Sequence, residues 1–484
     1  MKRRYFVAFF VLLSLAAFAS TAAGQEWIQL DPVGGPPARR AYATAVYDEP
    51  NDLMIVFGGY VAGAGASDDV WVLSNASGAG GTPQWSLLTP SGTSPGLRNH
   101  HTAVYDPETN DMIVFGGGGI GYDVWVLRNA NGLGEPPFWN QLDPTGGPPW
   151  PGGGHSAVYN PSSNRMVVFG GCGWVPWGCD VPLRSEAWVL ENANGLDGPS
   201  HWVLLSPGGG PPTRRSYHSG VYDPLSNRMV IFGGNTFRPD YTTLSDIWVL
   251  TDATGSVGDP QWIQITSGVD QPPRESHTAV YDQVTNRMVV FAGIGHGDPT
   301  NDVWVLAHAN GLGEPPSFER VSAGGTLPCQ RDGSAAVYSP ATNRLVVFGG
   351  ESRGTLLNDV WVLTNANGIT NVAIDIKPGA VPNSINLGAN GVVPVAVLTT
   401  PQFDASTVDG LTLALSGASV KLRGKSQEVG ALDDVDDDGD LDLVVQFYIN
   451  ELELEEGATE ATLTGKTKSG AEIMGKDSVR IVPE

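Results

Sequence analysis

The chain has 484 residues, with 51 acidic against 27 basic side chains and a net charge of −24. A surface this acidic argues against nucleic acid as a partner and fits solubility and divalent cations. The length leaves room for more than one domain.

Lys2, Arg3 and Arg4 precede an apolar run from Tyr5 to Ala19, and small residues follow with candidate cleavage points at Ala19 or Gly24. This three-part pattern predicts a secretory signal over residues 1–24. The run falls short of the roughly 20 residues a spanning helix needs. The expected mature protein is therefore exported, extracellular or in the cell envelope, with no transmembrane anchor.

From residue 25 to residue 369 one unit is written again and again. Its fullest copy reads RESHTAVYDQVTNRMVVFAG from Arg274, followed by a variable loop and NDVWVL ending at Leu306. A first strand ends at Tyr47, Tyr105, Tyr159, Tyr222, Tyr281 and Tyr338. A second carries Phe57, Phe115, Phe169, Phe232, Phe291 and Phe348, and a third Trp71, Trp125, Trp188, Trp248, Trp304 and Trp361. A fourth, W-x-x-L, is led by Trp85, Trp139, Trp202, Trp262 and Phe318. The segments are short, β-branched and aromatic, as strands are. Asp-Pro turns and Asn-Ala-Asn-Gly turns separate them. The sixth copy has no W-x-x-L after Gly368, and the missing strand stands at Trp27–Leu30. An open ring would expose two unpaired edges, so the N-terminal strand is predicted to close it. The expected fold is all-β: a six-bladed propeller followed by a smaller domain.

These residues resemble the kelch repeat over about residues 26–368. The carrying marks are the glycine doublets (Gly58-Gly59, Gly116-Gly117, Gly170-Gly171, Gly233-Gly234, Gly349-Gly350) with spaced aromatics after them; the fifth copy has Ala292-Gly293. The resemblance implies a kelch propeller. Members include binding platforms, galactose-oxidase-like enzymes and sugar-acid epimerases, so function must come from the site.

Arg40, Arg98, Arg215, Arg274 and Arg331 recur before the first strand, with Gly152 in the third copy. In kelch binding platforms arginines at this position line the ligand face, and the resemblance carries that role to these five. The other reading is an inter-blade salt bridge to the recurring acid before each tryptophan strand (Asp69, Asp123, Glu186, Asp246, Asp302, Asp359). His101, His155, His218 and His277 share a second position, read as a histidine hydrogen-bonded under each blade loop rather than a metal ring. His296 stands off the pattern in a variable loop and draws more interest. Loops carrying Trp174 and Trp177, or Phe237, Arg238, Asp240 and Tyr241, would suit carbohydrate. Cys172 and Cys179 bracket a short loop and are expected to form a disulfide in an exported protein. Cys329 is left over, a buried free thiol or a reactive one.

No zinc-protease or Cys-x-x-Cys motif is present. Galactose-oxidase-like enzymes hold copper with two tyrosines and two histidines; nothing fixes that set here, and copper is not expected. Unrepeated polar residues converging in the channel would favour an enzyme, and repeated ones a scaffold.

Residues 370–484 change character. Alternating strands predict a β-sandwich, which resembles a module found on many secreted bacterial proteins through I-K-P-G, N-S-I-N, V-P-V-A-V-L-T-T and L-T-G-K-T. Asp434, Asp436, Asp438, Asp440 and Asp442 alternate, with Gly439 at the sharp turn. Hard oxygen ligands at this spacing predict a structural calcium site. The favoured function is binding of an extracellular protein or carbohydrate at the channel face. The alternatives are a sugar-directed enzyme and a purely structural protein.

Overall fold

The protein is described from a computed structural model. It describes residues 24–482 except 119–120, 148, 150–151, 176–177, 182, 237–240, 268–270, 402, 423 and 425–428, and side chains outside 174–182. The expected signal, apart from Gly24, lies outside these residues. The chain divides into a unit of residues 25–368 and a C-terminal unit that begins at Ile369.

Among the described residues the only helical turns are short 3-10 turns. In the first unit each repeat folds as a four-stranded antiparallel sheet. The first blade runs Thr44–Asp48, Leu53–Phe57, Val70–Ser74, Gln84–Leu88. The innermost strands of successive blades neighbour one another, and Thr44–Asp48 also neighbours Ala335–Ser339 of the sixth blade. The second strands lack the alternation of a half-exposed strand. All of Leu53–Phe57 is buried because neighbouring blades cover both faces.

The sixth blade takes its outer strand from the other end of the chain. Glu26–Leu30 pairs antiparallel with Thr355–Thr364, with Trp27 opposite Leu363 and Leu30 opposite Val360. An aromatic contact recurs between blades. The outer aromatic of one packs on the second-strand phenylalanine of the one before, as in Trp139 on Phe57, Trp202 on Phe115 and Trp262 on Phe169, at 4.8–5.0 Å between ring centres. Trp27 makes that contact with Phe291 at 4.9 Å, and Trp85 makes it with Phe348 at 5.0 Å.

Outer edges are guarded as well. The linker leaving one blade pairs parallel with the outer strand of the next, at Val33–Gln84, Ser91–Phe138, Thr145–His201 and Gly208–Gln261. Gly324 and Gly325 do the same for Glu26 and Trp27. The Gly-Gly-Pro-Pro linkers need their glycines for this approach: a Cβ at Gly34 would lie 2.3 Å from the Trp85 carbonyl oxygen.

In the C-terminal unit a five-stranded and a four-stranded sheet share one apolar core, with Ile376, Val395, Leu415, Phe447 and Leu463 fully buried. The acidic run sits between the paired strands Gly430–Asp433 and Asp442–Tyr448.

Candidate functional site

The five recurring arginines are 0–1 % exposed. Each guanidinium meets both carboxylate oxygens of its own repeat's acid. Arg40 to Asp69 (2.5 and 2.9 Å) and Arg215 to Asp246 (2.6 and 2.7 Å) are the tightest. The same Nη1 also donates to the first residue of the glycine doublet, as Arg215 does to the Gly233 carbonyl at 2.9 Å. The tryptophan indole completes the knot, Trp248 Nε1 donating to Asp246 at 2.7 Å. Burial alone would raise the Asp302 carboxyl; the hydrogen bonds and charge of Arg274 outweigh it and hold it at about 2. The expectation that Arg40, Arg98, Arg215, Arg274 and Arg331 face a ligand is therefore corrected. Their forks are spent inside the wall, and the one donor left over, Arg274 Nε, is buried there too. The inter-blade reading is corrected too, because the ion pair is internal to each blade. Only the arginine backbone reaches across, its carbonyl accepting from the previous blade's doublet, as Gly59 N–H donates to Arg98 at 2.9 Å.

The histidines form a second repeated layer. His101, His155, His218 and His277 each place Nε2 at 2.8–2.9 Å from a first-strand hydroxyl of the preceding blade. Their rings stand edge-on to its phenylalanine at 5.0–5.3 Å. Burial pushes His155 down to about 4 and His277 to about 3, and holds His101 and His218 well below the usual range. They are neutral wedges between blades.

Between these two layers lies a position that varies. It is held by Tyr42, His100, Gly154, Tyr217, Ser276 and Gly333, all left-handed with φ between +52° and +71°. That conformation turns five of the six N–H groups along the ring onto the neighbouring copy. Tyr42 donates to Gly333, His100 to Tyr42, Tyr217 to Gly154, Ser276 to Tyr217 and Gly333 to Ser276, at 2.7–3.1 Å. The girdle bounds a cavity of about 150 Å³, with the histidine layer beneath.

Three copies of this position are aromatic and three are small. The Tyr42 and His100 rings stack at 4.0 Å, and His100 meets Tyr217 edge-on at 5.4 Å. Gly333 leaves room for this: a Cβ there would lie 2.4 Å from the Tyr42 ring. Behind the rings stand two buried acids. Tyr42 donates to Asp332 at 2.7 Å, and Tyr241 and Asn235 both donate to Glu275. Burial raises Asp332 to about 6; the Tyr42 bond opposes this and Glu351 adds to it. Glu275 is raised by burial, against the Tyr241 bond and with Asp332 adding. Burial and then Glu275 raise Tyr217 to about 12, and burial lowers His100 to about 3. Sequence reasoning passed over Tyr42 and Tyr217. The signal available was a variable column inside a fixed frame, two residues after each arginine.

In the C-terminal loop carboxylate oxygens of Asp434, Asp436 and Asp442 lie within 4.8 Å of one another. Asp442 is fully buried and its two oxygens accept from Thr399 N–H and Val435 N–H. Asp434 Oδ1 and Asp440 Oδ1 are buried without a hydrogen-bond partner. Asp438 accepts from Asp440 N–H at 3.1 Å. This donor set fits a hard divalent cation.

Cys172 is buried and Cys179 lies in the facing strand of the hairpin Gly173–Val175 and Gly178–Val181; the Cys179 side chain falls outside the described residues. The Trp174 and Trp177 side chains, and all of Phe237, Arg238 and Asp240, do as well. Cys329 is exposed, which corrects the buried-thiol reading. His296 sits exposed at a hairpin tip.

Six antiparallel blades around a lined mouth define a β-propeller. The KLHDC2/KLHL20/DRC7 Kelch-repeats domain matches residues 14–172 and 181–319, and the chain belongs to the kelch-repeat family. Host cell factor 2 of Homo sapiens is 31% identical over 279 residues, covering 54% of this chain and 31% of that protein. Multiple epidermal growth factor-like domains protein 8 of Mus musculus is 27% identical over 225 residues, 43% of this chain. The chain spans about 7% of that relative's length. A solved structure described as a fungal alcohol oxidase of the AA5 family in complex with copper aligns over 95% of this chain and all of that one, at 13% identity and a TM-score of 0.47.

Proposed function

We propose that this is an exported interaction protein whose kelch propeller takes a protein ligand at the girdle mouth. The carrying observation is the side-chain choice at one otherwise uniform position: Tyr42, His100 and Tyr217 against Gly154, Ser276 and Gly333. A wall built of repeated, internally paired residues needs no such asymmetry; a shaped contact surface does. Rigid aromatics over a fixed backbone give contact area at low entropic cost. The kelch family supports protein interaction as the general role.

Calcium in the Asp434–Asp442 loop, held by Asp434, Asp436, Asp438, Asp440 and Asp442, and a Cys172–Cys179 disulfide belong to the same reading. The orphaned oxygens of Asp434 and Asp440 support the cation. Its part would be to offset repulsion within the loop.

The unrepeated Tyr, His and Asp set favours a second reading, a sugar-directed enzyme. Against it, His100 and Tyr217 are displaced from neutrality in opposite directions, which suits them poorly to proton transfer near pH 7.

The test is to screen the mature protein against a displayed peptide library and a glycan panel, then remeasure hits on His100→Ala and Tyr217→Ala. A loss of tenfold or more in affinity for peptide hits supports the mouth. Peptide hits unaffected by both variants would move the site elsewhere, and glycan hits alone would replace protein with carbohydrate. Turnover of a free sugar, abolished by His100→Ala, would establish the enzyme.

A further inference from the structure

The third blade lacks its arginine. In the other five the guanidinium fills a socket made of three parts: the carbonyl of the doublet's first residue, the carboxylate before the third strand, and the indole two residues on. In the fourth blade these are Gly233, Asp246 and Trp248 around Arg215. The third blade keeps all three, as Gly170, Glu186 and Trp188, and holds Gly152 where the arginine should start. No side chain can grow from that point, because a Cβ on Gly152 would lie 1.2 Å from the Cys172 carbonyl oxygen.

The space is left as a cavity. A volume of about 220 Å³ is lined by Gly170, Glu186 and Trp188, with Arg184 at its side. In the five filled blades the indole N–H donates to the acid at 2.6–2.8 Å. Among the described residues Trp188 makes no such bond. Glu186 meets Arg184 at 3.6 Å, and its side chain is 41% exposed. The native pairs elsewhere sit at 2.5–3.2 Å with the arginine fully buried.

We propose that this socket is a receptor for an arginine side chain supplied by a binding partner. The five occupied copies show what it fits. They hold a planar fork with two parallel N–H bonds to a carboxylate and a third to a carbonyl, which an ammonium cannot reproduce. The incoming guanidinium takes Glu186 over from Arg184, which turns toward solvent. The socket shares no lining residue with the girdle cavity, although Gly152 stands only two residues before Gly154 of the girdle. Only the source of the arginine, a protein, rests on the proposed function; the chemistry of the socket does not.

The test uses the intact mature protein and Nα-acetyl-arginine amide as probe, read by calorimetry and by the Trp188 indole N–H signal. The neutral isostere Nα-acetyl-citrulline amide is the control. Saturable binding of the arginine compound, at least tenfold weaker for citrulline and for Glu186→Gln, supports the socket. Arg184→Met, which removes the resident competitor, should tighten binding severalfold. Absence of saturable binding, equal binding of citrulline, or full retention in Glu186→Gln would each sink it. So would loss of binding in Tyr217→Ala, which would place the probe at the mouth. Retained arginine binding with no peptide hit at the mouth would leave the socket standing and the proposed function failed. Glu186 is solvent-facing, so its variant should fold; the thermal unfolding midpoint checks this.

Discussion

The wall and the mouth of this propeller use the same backbone and opposite side-chain rules. In the wall an arginine, an acid, a tryptophan, a phenylalanine and usually a histidine return in blade after blade, each with its partner inside the protein. At the mouth the backbone repeats as strictly, with left-handed residues linked around the axis, yet Tyr42, His100 and Tyr217 alternate with Gly154, Ser276 and Gly333. Repetition of a polar residue here marks structure, and a break in repetition marks the places where a ligand is proposed. The third blade sharpens the rule, because its missing arginine leaves both a cavity and an acid with a looser partner.

The comparison breaks first if the closing strand proves dispensable. Trp27→Ala removes the aromatic contact to Phe291 and should cost about 3–5 kcal/mol in urea unfolding. A cost under about 1 kcal/mol would mean the sixth blade does not depend on it. Next comes the wall pairing. Arg215→Ala strands Asp246 and should cost about 2–4 kcal/mol, with Arg215→Lys recovering less than half. The corresponding loss for Arg184→Ala, in the blade without the buried pair, should stay below about 1 kcal/mol.

The C-terminal loop is another unrepeated place, and calcium should raise its unfolding midpoint. At free calcium a hundredfold above Kd the gain is about 2.7 kcal/mol, and Asp442→Asn should abolish it. The histidine layer predicts a pH effect. Its folded-state values are depressed, so the unfolded chain takes up protons first as pH falls below about 6.5. Stability is therefore complete above that point and is lost on acidification, by up to about 1.4 kcal/mol per pH unit per histidine, until the folded values near 3–4 are reached. His277→Ser, which copies the sixth blade, should make the fall between pH 6.5 and 4 shallower. The smallest effect belongs to the mouth: Tyr217→Ala should change stability by less than about 1 kcal/mol while weakening ligand binding tenfold or more.

Much of this was legible in the sequence. The six copies and the stray W-x-x-L at Trp27 are visible as text, because each strand and turn uses its own residues. The arginines misled because a fixed position says nothing about whether a long side chain turns inward to Asp69 or outward to a ligand. The mouth was hard to read for the opposite reason. Tyr42, His100 and Tyr217 share no residue type, and what unites them is a backbone angle that sequence does not print. The socket in the third blade was half visible as Gly152, but its consequence depends on where the Cys172 carbonyl falls.

The strand that completes the sixth sheet is separated in sequence from its partner by nearly the whole propeller: Glu26 N–H bonds to Thr364, 338 positions away. Closure is thus a long-range event, slow by the standard of local hairpins, and it tests completeness. A chain broken off before Thr364 leaves the first-made strand without its place and an unpaired edge on view. Only a chain that has made every blade can fasten itself, so the clasp separates finished molecules from fragments with no other device.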